Sequence, residues 1–516
     1  MPARSTSVQS AVQSGPTPDV PFSRGDTNKR WGIWLENAVF FFLCLFAILW
    51  PHSIKGAQHA WQIAFLLWLL TLAVERRRPF PQPLTAPLLA FVVLSAISTS
   101  LSPDPYLSWD RMKLVCLVLV GVVAAQGLKR ISQVRIIIVL LILSGLAAAV
   151  FTAWQYTYGV GVRVAYIAPN SALENGAYIH KDYIITRING HAVHTPSQLE
   201  RVVRESMPGS ILRVDYMRGW PFHKHQTIIT REGFLASGLG TPGLQLLRGH
   251  PFRAQGTLGH YVIFAVVLMQ IGCIVWALLL NTLRRQAVLR ILLALVFLAL
   301  TAAIFATETR AALAGLAAGC LLAVLMLARK RARVWAVTCL VAIVIAAVLW
   351  IQHTRKPGLI GAQDRGTQFR MLMWKDGLRL IGQHPWFGVG METIRNHWKE
   401  WNIHAFERYP DEQSHFHSDI IQIAVDRGLP ALAAWLWFVV GYIVFLVRLA
   451  RRAAPHSRFA FGATVGLLSS FVAFLIPGAL HYSMGEETLV MGLFFFYGLA
   501  VAMDRMLREP GALDVP

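Results

Sequence analysis

The chain has 516 residues, 55% hydrophobic and only 15% charged, against roughly 25% charged in an ordinary soluble domain. That composition excludes a soluble enzyme. Lys and Arg outnumber Asp and Glu by 48 to 27, a net charge of +21. A polytopic membrane protein gathers such an excess on its cytoplasmic loops without binding a polyanion, so no nucleic-acid partner is expected.

Residues 1–33 are rich in Ser, Pro, Gln and Gly and lack an apolar core or a small-residue cleavage site, which reads as a disordered cytoplasmic tail and not a signal peptide. Apolar stretches long enough for a bilayer core of ~30 Å then begin near Glu36, Ala60, Thr85, Met112, Val134, Leu258, Val288, Arg310, Val334, Leu429, Phe459 and Glu487. These are about twelve predicted spans: five within residues 34–157, four within 236–351 and three within 429–508, with 509–516 as a second cytoplasmic tail. Several are short or interrupted, as at Ser95 to Ser100. The five cysteines, Cys44, Cys116, Cys273, Cys320 and Cys339, all fall inside these runs without metal-ligand spacing and are expected to be small apolar core residues.

Basic clusters mark one side of the membrane: Arg76 to Arg78, Lys129, Arg130 and Arg135, Arg284, Arg285 and Arg290, Arg329 to Arg333, Arg448 to Arg458, and Arg505 and Arg508. By the positive-inside rule this side is cytoplasmic, as are both termini. The opposite face then receives two large insertions, and loops of that size are usually functional.

The first insertion, residues 158–235, carries a small α+β domain. Short β runs are predicted at Val162 to Ile167, Tyr183 to Ile188, Ile211 to Tyr216 and Gln226 to Ile229, around a helix from Pro196 to Glu205. Thr195 as N-cap, Pro196 at the first position and Gln198 make a capping box. The string NSALENGAYIHKDYIITRINGHAVHTPSQLERVVRES followed by GSILRVDYMRG resembles a PDZ-like domain, with Lys181-Asp182 in place of the usual Gly-Asp. The resemblance implies either a module for a protein partner or a structural lid.

A PDZ-like module between spans suggests a metalloprotease, but there is no HExxH, and no GxSxG, Walker loop or suitable Cys/His pair. What remains on the outer face is a set of Arg and His residues: Arg253, Arg310, and, in the second insertion (352–428), Arg365, Arg370, Arg379, His384, His415 and His417. Arg310, in the turn TETRAALAG between two apolar helices, is costly to hold near a bilayer unless it faces a polar cavity or ligand, or snorkels to the headgroups. GTQFRMLMWKDGLRLIG reads as an amphipathic interfacial helix burying Phe369, Leu372, Met373 and Leu378. His384 and Pro385 end it, before a Gly388-Val389-Gly390 turn.

Four strings resemble the O-antigen ligase and polymerase family of integral membrane glycosyltransferases: RAQGTLGH (Arg253 to His260), TETRAALAGL, RMLMWKDGLRLIGQHPWFGVG (Arg370 to Gly390) and HSDIIQIAVDRGLPAL (His417 to Leu432). Ser418 stands where the family commonly has Asn, Thr309 where it has Ser, and Ala431 where a Gly often sits. The resemblance implies an all-α polytopic, GT-C-like fold around the PDZ-like periplasmic insert. It also implies glycan transfer from undecaprenyl diphosphate to an acceptor hydroxyl at the periplasmic face, independent of metal and of any other cofactor.

The acceptor expected first is lipid A core, as for an O-antigen ligase in lipopolysaccharide biosynthesis. Polymerisation of O-antigen or exopolysaccharide, or transfer to a protein hydroxyl, would use the same motifs. A transporter of lipid-linked glycan would need internal repeats and mid-membrane polar residues, for which the sequence offers no convincing signal. A diphosphate leaving group needs its charge neutralised, by Mg²⁺ or by Arg forks; the outer loops offer Arg and no tight carboxylate pair, so Arg310, Arg370 and Arg253 are the candidate diphosphate ligands. His417 is the candidate general base, in an inverting displacement. Gln422, His415 and Asp419 are supporting candidates, and Asp426 is a second carboxylate suited to orienting an imidazole. On a helix, residues two apart point in different directions, so only one of His415 and His417 is expected to face the site. His481 in LHYSMGEE is a further residue suited to lining the cavity.

Overall fold

Long apolar runs without water to satisfy their backbone must form helices, and helices dominate the chain. The computed structural model of the protein describes residues 24–508 apart from 76–78, 160, 219–222, 250–252, 329, 332, 335–337, 339–364 and 410–414. The first five spans of the sequence become α1 (Arg24–Leu49), α2 (Ile54–Glu75), α3 (Thr85–Ser100), α4 (Pro105–Cys116) with α5 (Val118–Gly127), and α6 (Ile131–Tyr158). After the insert come α9 (Tyr261–Asn281), α10 (Ala287–Ala306) and α11 (Arg310–Leu327). Past the undescribed stretch lie α12 (Arg365–Gln383), α13 (Ile394–His397), α14 (His404–Arg408), α15 (Asp419–His456), α16 (Arg458–Leu480) and α17 (Glu487–Arg508).

Among the described residues nine helices are long and apolar enough to cross a membrane. The expected Thr85 span is a shorter apolar helix. The expected Met112 span is replaced by α4 and α5, because Asp104 caps a helix that starts early, at Pro105, and the path breaks at Leu117. The Val334 span lies almost wholly outside the described residues. Helix α1 begins at Arg24, inside the segment expected to be an irregular tail. Cys273 is buried and Cys44 and Cys320 are half-buried, but Cys116 is exposed rather than a core residue; Cys339 lies outside the described residues. Large apolar side chains such as Leu66, Leu143 and Leu298 are more than half exposed, as a lipid-facing surface requires. Small residues let helices touch: on α11, Gly315 and Gly319 approach the carbonyls of Ala473 and Ser469 on α16 so closely that a Cβ would fall 2.7 and 2.8 Å from them.

The insert is a sheet in the order β5-β4-β2-β1-β6, antiparallel throughout. Its strands are β1 (Val162–Ile167), β2 (Ile184–Ile188), a short β3 (His191–Ala192) paired to β2, β4 (Ile211–Arg218), β5 (His223–Thr230) and β6 (Leu244–Arg248). Helix α7 (Pro196–Glu205) starts at the expected cap: the Gln198 amide donates to Thr195 Oγ1 at 3.2 Å, while Gln198 Oε1 accepts from the His194 amide at 3.0 Å, one residue before the Thr195 amide that a capping box would take. The sheet does not end at β5. After a short α8 (Arg231–Ala236), β6 pairs with the edge of β1 opposite β2, so the chain itself covers that edge of β1.

The basic segments gather at one end of the bundle. There Lys129 pairs with Glu36 at 3.4 Å, Arg135 lies over Phe459, Arg458 donates to the Asn281 carbonyl at 2.7 Å, and Asp504 pairs with Arg452 and Arg508. The other end is tied by different segments. Ala254 N–H donates to the Ala306 carbonyl at 2.8 Å, Ser98 Oγ to the Asp426 carbonyl at 2.8 Å, and Met484 N–H to Asp419 Oδ1 at 2.9 Å. The segments that carry the outer Arg and His residues therefore meet one another.

Candidate active site

The site is assembled around a break in α15. Gly428 sits at φ 82°, ψ 169°, and divides that helix into an arm from Asp419 to Arg427 and a long span beginning at Leu429. Such a backbone is open almost only to glycine. The freed backbone groups on either side are taken up by the HPWFGVG segment: Val389 N–H donates to the Val425 carbonyl at 2.9 Å, Gly390 N–H to that of Asp426 at 2.9 Å, and Leu429 N–H to that of Pro385 at 2.7 Å. Two sequence strings thus interlock through main chain, which is why glycine recurs in both.

Residues 415–418 precede the short arm and are not helical. Gln422, one turn into the arm, accepts from the Phe416 amide through Oε1 at 2.8 Å and donates from Nε2 to Asp426 Oδ1 at 2.8 Å. Trp374 of α12 donates to the Phe416 carbonyl at 3.0 Å. Held in this way, His417 adopts φ 51°, a left-handed conformation that costs a non-glycine residue about 1–2 kcal/mol and that recurs at functional sites.

The rings of His415 and His417 converge, with centroids 4.5 Å apart. The expectation that only one of them faces the site assumed a helix; the loop conformation lets both do so. His481, just past α16, completes the group at 5.0 Å from His415 and 6.4 Å from His417. Phe369 meets His417 edge-on at 5.6 Å and Tyr482 flanks His415. The Nε2 atoms of His415 and His481 are buried without a hydrogen-bond partner among the described residues. Ring nitrogens of the three histidines lie within 4.8 Å of one another, close enough for three imidazoles to share one small cation or one water.

Among the described residues, the charges that act on these rings are those of arginines and of the histidines themselves. Burial, then His481 and Arg370, push the His417 imidazole down to about 3. Burial lowers His415 well below the usual histidine range, with His417, Arg395, His260 and Arg370 adding to it. His481 is lowered by burial, His415, His260 and Arg370. The rings are therefore neutral at neutral pH.

Arg370 is exposed on α12, beside Phe369, and its charge acts on all three rings. Arg253 lies on the other side of His260. It is half-buried, stacks over Tyr261 at 4.8 Å and pairs with Glu308 at 3.8 Å. Arg310 is exposed at the start of α11, near enough to Arg253 for the two charges to oppose each other. The structure thus brings Arg370 to the histidines, and Arg253 with Arg310 to the adjoining His260 end. Arg395 is an arginine that sequence reasoning missed; no local pattern marks it, because it reaches the group only through the 385–390 interlock.

Other candidates serve the scaffold. Asp419 accepts from the Met484 amide and lies against Gly478, so it pins the turn after His481 rather than orienting an imidazole. Asp426 takes Gln422 and faces Arg427 at 3.8 Å. Arg379 pairs with buried Asp376 at 3.2 Å and donates to the Trp401 carbonyl at 3.0 Å. Asp376 also binds His404 at 2.8 Å and the Ala405 amide at 3.0 Å. On α12 Phe369 and Met373 are buried and Leu372 is half-buried as expected, but Leu378 is 64% exposed and Leu380 is buried in its place. His384 is exposed past the end of α12, and the side chain of Arg365 lies outside the described residues.

Residues 294–436 match the family model described as O-antigen ligase. That stretch contains Arg310, Arg370, His415, His417, Asp419 and Gln422, but neither Arg253 nor His481. A search of curated proteins returned no match. These motifs fold into one end of a multi-pass helical bundle, and the stretch from 294 to 436 is similar to the O-antigen ligase family.

Proposed function

We propose that this protein transfers a glycan from undecaprenyl diphosphate to an acceptor hydroxyl at the periplasmic face of the bacterial inner membrane, acting as an O-antigen ligase on lipid A core. The observation that carries the reading is the meeting of three half-buried, neutral imidazoles with Arg370 at the end of the bundle away from the basic loops. In this reading the diphosphate is held by Arg370, with Arg253 and Arg310 on the side of His260. The acceptor oxygen attacks the anomeric carbon from the face opposite the diphosphate and the configuration inverts. His417 takes the hydroxyl proton, and the C–O bond to phosphate breaks with its electron pair on undecaprenyl diphosphate. A resting imidazole near 3 is a weak base. A bound dianion beside it reverses the local charge and raises its proton affinity, so the base strengthens when the donor arrives.

The arginine charges that act on the histidines favour an anionic group over a metal ion there. Transfer is therefore expected to continue undiminished in excess chelator. A loss restored by a divalent ion would overturn the arginine-based mechanism.

The pH profile provides a second check. A depressed pKa keeps His417 in its base form as pH falls, so kcat/KM, which reports the free enzyme, should stay level from pH 8 to pH 5. The acid limb of kcat, which reports the donor complex, should lie at higher pH. An acid limb of kcat/KM near 6.5, the ordinary histidine value, would contradict a buried base.

The deciding experiment is reconstitution of the full chain with a lipid-diphosphate glycan and a panel of acceptors: lipid A core, a second lipid-linked glycan, and a peptide bearing hydroxyls. Product on lipid A core supports the ligase. Product only on glycan or peptide makes it a polymerase or a protein O-oligosaccharyltransferase, and no transfer to any acceptor refutes the reading.

A further inference from the structure

Between the sheet of the insert and the membrane body lies a cleft of about 560 Å³ that the mechanism above does not use. Its volume is that of a small-ligand site. From the sheet it is lined by Arg187, Asp215, Tyr216 and Gln226, and from the body by Gln155 and the 255–259 loop. Neither half makes the cleft alone.

The lining has the chemistry that recognises neutral, polyhydroxylated ligands. Arg187 and Asp215 are register partners on β2 and β4, so cation and carboxylate sit side by side. Gln226 donates to Asp215 at 2.6 Å, fixing the carboxylate while leaving further lone pairs and the amide oxygen for hydroxyl groups. Tyr216 lies in a stack between Tyr183 at 5.5 Å and His225 at 5.6 Å, a rigid aromatic element at the wall. Balanced charge does not select an anion, and the mixed donors and acceptors do not suit a lipid tail.

The floor is rigid and leads to the site. Gly256 N–H donates to Gln155 Oε1 at 3.1 Å and Thr257 Oγ1 to the Pro51 carbonyl at 2.5 Å. The same loop carries Arg253 at one end and His260 at the other, and His260 is among the charges felt by His415 and His481. The cleft and the residues beside the reaction centre therefore share one loop, and none of the three histidines lines the cleft.

We propose that this cleft is a saccharide-binding subsite, in which the insert and the body together hold the non-reacting sugars of a glycan chain. The substrate class rests on the glycosyltransferase reading above; the binding does not require catalysis. The test uses full-chain protein in nanodiscs and a panel of fluorescent neutral oligosaccharides built from hexoses and N-acetylhexosamines. Wild type should bind members of the panel saturably. Arg187→Ala and the near-isosteric Asp215→Asn should each weaken that binding by about ten-fold, the loss expected for one charge-assisted hydrogen bond, while His417→Ala binds as wild type. In transfer assays the cleft variants should raise KM with kcat unchanged. A rise in KM for the donor identifies the donor glycan as occupant, and a rise for the acceptor identifies the acceptor glycan. Absence of binding to the whole panel, or binding unaffected by both cleft substitutions, overturns the proposal even if transfer itself is active. Binding that persists in a protein without transfer activity would refute the function and leave the subsite standing.

Discussion

Alanine at His417 is expected to lower kcat for glycan transfer by ~10²- to 10⁴-fold, the usual worth of general-base assistance, while donor binding changes little. The ring is held by backbone it does not itself create. Gln422 fixes the Phe416 amide, Trp374 fixes the Phe416 carbonyl, and the arm from Asp419 is docked through Met484. Removing the imidazole therefore leaves the loop tethered, and a fall in rate reports chemistry rather than unfolding. His415→Ala should cost less, about ten-fold or under, because a neutral imidazole remains at 417 to take the proton. Single-turnover rates for the two variants separate the roles. Equal losses would make the histidines one unit, and an unchanged rate in His417→Ala would remove it from the mechanism.

The second large effect is structural. Gly428→Ala places a Cβ against the Trp386 carbonyl in a backbone conformation that L-residues avoid. Strain of this kind costs on the order of 1–3 kcal/mol before any clash with main chain, and main chain cannot swing aside as a side-chain tip can. The 385–390 segment should undock, Arg395 and the short arm should lose their positions, and both thermal stability and transfer should collapse. Gly382→Ala is the internal control: it lies late in α12 with open space around its Cβ, so it should be neutral or stabilise by up to ~1 kcal/mol. Thermal unfolding in detergent distinguishes the two. Similar melting curves for both variants would mean that the kink is not a fixed point of the fold.

Several features of the site were legible in the strings because they are local. The Gly388-Val389-Gly390 turn announces unusual backbone, and the 417–422 spacing singles out Gln422 beside His417; the break at Gly428 was not read from the sequence. The convergence of His415 and His417 was not legible, since helical spacing would have separated them and only the loop conformation before Asp419 joins them. Nor was the scaffold role of Asp419, whose partner amide belongs to Met484 in a distant turn.

By itself the sequence determined the helical, membrane-spanning body, the end of the bundle where positive charge collects, and the capped helix of the insert. Each follows from hydrophobic run length, local charge or an N-cap, and none needs a distant partner. Only the tertiary structure decided that α4 and α5 replace one continuous span, that β6 closes the insert beside β1, and that His481 joins two histidines from another segment. These depend on close approach between residues far apart in the chain, which depends on packing and shape and leaves no periodic trace in sequence.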